Sequence, residues 1–121
     1  MWVLNTARAE LHYFRDCAAI REGYAILSHT WTQDPAGEKT FQDIQDIIMK
    51  CNITGENPRE HVDLKDSKIR RCCEIAESDG YHWIWIDSCC IDKTSSTELS
   101  EAISSMFNWY ALAEEIGRAH V

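Results

Sequence analysis

A chain of 121 residues with 45% hydrophobic residues and five tryptophans has room for one domain and the composition to pack it. Its 20 acidic against 12 basic residues, a formal net charge of -8, exclude nucleic-acid binding by general phosphate attraction, and Lys68, Arg70 and Arg71 make only a short solvated positive stretch. No apolar run reaches membrane-spanning length, and residues 1–6 lack the basic region and apolar core of a secretory signal, so the reading is a soluble, cytoplasmic protein.

In chain order, residues 2–4 and 11–14 are short apolar runs that can pair as an opening hairpin. Residues 24–28 form a firmer strand, apolar, preceded by Gly23 and followed by a loop containing Asp34, Pro35 and Gly37. Thr40 stands three residues before Asp43 and opens a run with Phe41, Ile44, Ile47, Ile48 and Cys51 at helical spacing, the pattern of a capped amphipathic helix. Residues 52–66 turn polar around Gly55 and Pro58 and read as a surface connection. Ile69, Cys72, Cys73 and Ala76 then fall on one face of a second helix that Gly80 ends in a left-handed conformation.

Residues 83–86 are apolar on both faces, as in a central parallel strand covered by helices. Ser95 and Glu98 have capping-box spacing ahead of a third helix, whose stripe runs through Leu99, Ala102, Ile103, Met106, Phe107, Tyr110 and Ala113. Strand, helix, strand, helix predicts an α/β sheet with right-handed crossovers. No strand is legible after the third helix, so the sheet is expected to stop short, leaving apolar surface and a strand edge that favour self-association. Residues 115–121 look like a translated sequencing adapter, which sets a domain at 1–114 apart from a non-native tail at 115–121.

Six cysteines include the adjacent pairs Cys72-Cys73 and Cys89-Cys90 within apolar segments, a pattern of reduced, buried thiols rather than a disulfide framework. With no Cys-x-x-Cys and no paired His, no metal is expected. Asn52-Ile53-Thr54 reads as a chance sequon.

The chemistry-bearing side chains gather where the two main strands end. Ser28, His29 and Trp31 follow the first, and Asp87, Ser88, Cys89, Asp92 and Lys93 the second, the edge at which open α/β sheets bind ligands. Each also has an ordinary role. Asp87 caps a loop, His29 packs beside Trp31, and Lys93 pairs with Asp92 or solvent. A nucleophilic set of Cys89 or Cys90 with His29 and Asp87 is chemically feasible but weaker, since thiols in apolar loops are usually inert. An aspartyl phosphoacceptor at Asp87 lacks the acidic partners that magnesium needs, and no glycine loop cradles phosphate.

Three segments carry a family resemblance: Tyr24-Ala25-Ile26-Leu27-Ser28-His29-Thr30-Trp31, then Trp83-Ile84-Trp85-Ile86-Asp87-Ser88-Cys89-Cys90-Ile91-Asp92-Lys93, then Glu98-Leu99-Ser100-Glu101-Ala102-Ile103-Ser104-Ser105-Met106-Phe107-Asn108-Trp109-Tyr110. In this order they resemble the fungal heterokaryon-incompatibility (HET) domain, over the chain from its start to about Ala113. The resemblance implies an effector of nonself recognition that triggers cell death after incompatible hyphae fuse. It implies a flavodoxin-like fold similar to Toll/interleukin receptor (TIR) domains. Partners would be other proteins, an incompatibility partner or a second copy. Some TIR-like domains cleave NAD with a glutamate on a later helix, and the family's Trp and Glu-Leu segment that resembles it has no counterpart here. The resemblance therefore assigns no certain cofactor and allows NAD only as a substrate of a full-length domain. The present chain is expected to be a noncatalytic fragment, with a noncatalytic assembly module as the alternative.

Overall fold

A strand that is apolar on both faces has to be covered on both, and residues 83–85 meet that requirement at the centre of a five-stranded sheet. The computed structural model describes residues 1–15, 19–21, 23–27, 39–64, 67–86, 89–112 and 114–116. The strands are β1 (Trp2–Asn5), β2 (Leu11–Tyr13), β3 (Ala25–Leu27), β4 (Trp83–Trp85) and β5 (Glu114–Ile116), in spatial order β2-β1-β4-β3-β5. β3 runs parallel to β4 and β5, whereas β1 is antiparallel to both β4 and β2.

The sheet is therefore mixed, not the parallel sheet expected from the order of elements. The opening hairpin is continuous with it because Val3 and Leu4, on opposite faces of β1, are both fully buried. Such a strand is stable only in the interior of a sheet. The hairpin turn is held by Asn5, whose Oδ1 accepts from the Ala7 and Arg8 N–H groups at 2.9 and 3.1 Å.

The last strand is a second departure from expectation. Glutamate is a poor strand former, so nothing in Glu114 and Glu115 announces β5. The free edge of β3 decides the matter: Ala25, Ile26 and Leu27 pair with Glu114, Glu115 and Ile116. The strand crosses the boundary set at residue 115, and β3 is paired on both sides. The exposed central strand invoked for self-association is not found among the described residues.

Three helices cover the sheet, α1 (Phe41–Thr54), α2 (Lys68–Ser78) and α3 (Ser96–Leu112). The capping box of α1 is complete: Asp43 N–H donates to Thr40 Oγ1 at 3.2 Å and Thr40 N–H to Asp43 Oδ2 at 3.0 Å. Phe41, Ile44, Ile47 and Cys51 are buried as the spacing predicts. In α2, Ile69, Cys72, Cys73 and Ala76 are likewise buried. Gly80, at φ +92°, closes that helix: Tyr81 N–H donates to Ala76 O at 2.9 Å and Gly80 N–H to Glu77 O at 3.0 Å.

Among the described side chains of α3, one member of the predicted face departs from it. Ala102 and Trp109 are buried, whereas Ile103 is 66% exposed. Trp109 lies seven residues after Ala102 and is the larger anchor, so the helix turns that line inward and Ile103 outward. Residues 52–66 are also more than a surface connection. Among them Pro58–Glu60 and Val62–Leu64 form 3₁₀ turns that bury Pro58 and Leu64. Arg59 Nη1 ties these turns to the Thr6 carbonyl and to Glu77, both at 2.9 Å.

Two substitutions test this account by urea denaturation. No atom lies within 4 Å of a Cβ built at Gly80, so Gly80→Ala should cost about 1–2 kcal/mol through backbone conformation alone. Trp85→Ala should cost about 3–5 kcal/mol, a large share of a domain's total stability.

Candidate functional site

The turn leaving β4 is built from its own side chains. Ile86 O accepts from the Cys89 and Cys90 N–H groups at 3.3 and 2.8 Å, and Ile86 N–H donates to Cys90 Sγ at 3.4 Å. The Cys90 sulfur also sits 3.9 Å from Ile84 O, so this thiol folds back on the strand it follows. Asp92 Oδ1 accepts from Thr94 N–H at 3.0 Å, from the Thr94 hydroxyl and from Gln42 Nε2 at 2.8 Å. These bonds, that from the Thr94 hydroxyl first, hold the Asp92 carboxyl below its usual range and tie the turn to the start of α1.

Of the eight residues expected at the crevice, Cys89, Asp92 and Lys93 are among those described. Cys89 is fully buried, Asp92 braces the turn, and Lys93 is exposed. Ser28, His29, Trp31, Asp87 and Ser88 lie outside the described residues. A nucleophilic role for Cys89 or Cys90 is disfavoured by burial, which leaves them 0% and 2% exposed. The five described cysteines are buried, in keeping with reduced thiols. Burial also raises the Cys72 thiol to about 11 and pushes Cys73 higher still.

What the described residues do form at this edge is a groove of about 360 Å³. Because β1 is antiparallel to β4, with Leu4 opposite Ile84, its first residues lie level with the carboxyl end of β4. Trp2 therefore stands beside the turn just described. Its indole Nε1–H donates to Glu98 Oε1 at 2.9 Å, and its ring meets Tyr13 and Phe41 edge-on at 5.3 and 5.2 Å between centroids. Ser95 accepts from Glu98 N–H at 3.3 Å, but its own N–H donates to Asp92 O at 3.1 Å, so the Glu98 carboxylate is available to Trp2.

Trp109 forms the far wall, packed edge-on against Trp85 with centroids 5.5 Å apart, while its carbonyl accepts from the Tyr24 hydroxyl. Trp2, Tyr13 and Trp109 line the groove with Ile91, Glu98 and Glu101; among the described lining residues there is no Lys or Arg, and the amino group of Met1, which also lines it, donates to Phe14 O at 2.9 Å. Aromatic faces and carboxylates suit apolar and cationic groups; phosphate is repelled. Sequence reasoning missed Trp2, Tyr13, Glu98 and Glu101 as site residues. They belong to segments far apart in the chain, and only the antiparallel placement of β1 joins them.

The fold and groove define an α/β domain with an acidic, aromatic surface at the carboxyl edge of its sheet. Residues 24–117 match the family model described as heterokaryon incompatibility protein (HET), and the chain belongs to that family. The vegetative incompatibility protein HET-E-1 of Podospora anserina is 46% identical over 87 residues, which are 72% of this chain and 6% of that protein. The chain thus spans a small fraction of the length of the relative it matches. No solved structure matches it.

Three measurements probe the site. Trp2→Phe removes one hydrogen bond to a charged acceptor and should cost about 1.5–3 kcal/mol by urea denaturation, less to the extent that the groove admits water. The folded pKa of Asp92 is depressed, so its contribution is present above the unfolded value near pH 4 and disappears as pH falls through the folded value. The stability gap between wild type and Asp92→Ala should accordingly be full at neutral pH and close on acidification. Iodoacetamide at pH 8 should modify Cys72, Cys73, Cys89 and Cys90 only after denaturation, as mapped by mass spectrometry.

Proposed function

We propose that this chain forms part of a HET domain that acts in fungal nonself recognition, triggering cell death by contact with other proteins in the cytoplasm. Membership of the heterokaryon incompatibility family supports the process, and the similarity to a vegetative incompatibility protein points the same way. The observation that carries contact over catalysis is the groove beside β4. Its aromatic walls and paired Glu98 and Glu101 fit an apolar or basic protein segment, and its described side chains include no Lys or Arg for a phosphorylated ligand. Among the described residues no helix is long and apolar enough to cross a membrane.

A flavodoxin-like, TIR-like core is part of the proposal. The parallel strands stand in the order β4-β3-β5, which is second, first, third in the chain, the order that opens a flavodoxin-like sheet. β1 and β2 extend it on the side of β4.

The test uses the whole protein that carries this chain, produced from an inducible promoter in a filamentous fungus, with cell death scored by dye uptake. Tyr13→Ala and Glu101→Lys alter exposed parts of the groove and should abolish killing while protein abundance is unchanged. Undiminished killing by both variants would refute the contact reading.

A further inference from the structure

The end of α1 and the turns after it bring together three side chains of complementary ligand chemistry. Cys51 Sγ, a Glu56 carboxylate oxygen and an imidazole nitrogen of His61 all lie within 4.8 Å of one another. We propose that Cys51, Glu56 and His61 form a binding site for a zinc-type divalent metal ion, which staples the last turn of α1 to the Pro58–Leu64 segment. Sulfur, nitrogen and oxygen donors in this combination suit zinc, which takes three protein ligands and leaves one position to water.

The geometry is close to what ligation needs. Tetrahedral zinc holds its donor atoms roughly 3.5 Å apart, so the three must draw in by about 1 Å. Glu56 is exposed and supplies both the adaptable ligand and the entry path, while Cys51 is buried and His61 half-buried on the protein side. The Cys51 position is set by α1 itself, whose end is closed by Gly55 N–H donating to Cys51 O at 2.7 Å. His61 is oriented by Asp63: its Nδ1 accepts from Asp63 N–H at 3.0 Å and lies 3.6 Å from Asp63 Oδ2. Ligation either displaces that N–H from Nδ1 or moves the ring proton onto Nδ1, where the Asp63 carboxylate can receive it as an outer partner.

The surrounding charge favours a cation. Burial first, and then the carboxylates of Glu56, Glu10 and Asp63 against Arg8, raise the Cys51 thiol above its usual range; the same carboxylates attract a cation, and Arg8 is itself bridged to Glu10 at 3.2 Å. Lys50 is paired with Asp63 at 3.6 Å. On binding, the metal–sulfur bond forms as the thiol releases its proton to the buffer, with no change of oxidation state. The spacing Cys51-x4-Glu56-x4-His61 matches no common zinc signature, and so the sequence alone argued against a metal.

The test is titration of the chelator-treated, reduced chain with zinc by calorimetry and with cobalt by absorption spectroscopy. The expected result is one saturable equivalent, a thiolate-to-cobalt charge-transfer band, and a melting temperature that rises with metal concentration. Cys51→Ser should remove the band, and Glu56→Gln and His61→Ala should each weaken binding about tenfold or more. Circular dichroism confirms that each variant folds. If Cys51→Ser does not fold, the exposed Glu56→Gln decides. Absence of saturable binding by the wild-type chain, or unchanged affinity in Glu56→Gln and His61→Ala, overturns the site.

Discussion

The burial of Trp85 is the constraint from which the rest of the architecture follows. This indole, on the central strand and fully shielded, packs edge-on against Trp109 from α3. Burial of a side chain that large requires continuous cover, so β4 must have strands on both sides and α3 must turn its Trp109 face inward. The Tyr24 hydroxyl, donating to the Trp109 carbonyl, ties β3 into the same contact. One aromatic pair thereby links β4, β3 and α3.

The same arrangement determines what lies at the carboxyl edge of the sheet. β1 fills the side of β4 that β3 leaves open, and its antiparallel direction carries Trp2 to that edge. Glu98 arrives there because α3 starts from the turn that follows β4, a turn braced by Cys90 and Asp92. Among the described side chains of that turn, Cys90 bonds its own backbone and Asp92 bonds Thr94 and Gln42. The open surface instead lies between α3 and the hairpin, which gives the domain an acidic, aromatic face where phosphate-binding sheets present N–H groups and cations.

Much of this was readable from local patterns. The capping box at Thr40 and Asp43, the buried face of α2 and the left-handed Gly80 follow from spacing within a few residues, and each is found where the pattern placed it. The candidate site was less legible. Cys89, Asp92 and Lys93 follow the end of β4, but whether such groups face a ligand or their own turn depends on bonds the sequence does not display. Ile103 was misplaced because a stripe that includes both Ala102 and Ile103 leaves the rotation of the helix open, and the bulk of Trp109 decides it.

By itself the sequence determined the family, the existence and type of the helices, and the central place of residues 83–86, because each rests on residues close together in the chain. The tertiary structure alone decided that the sheet is mixed, that Glu114–Ile116 form a strand, and that Trp2 meets Glu98. It also decided that Cys51, Glu56 and His61 converge. The physical reason is common to all four. An edge strand takes its conformation from the free backbone groups of its neighbour, and a groove or ligand cluster takes its members from whatever the packing of distant segments brings within reach.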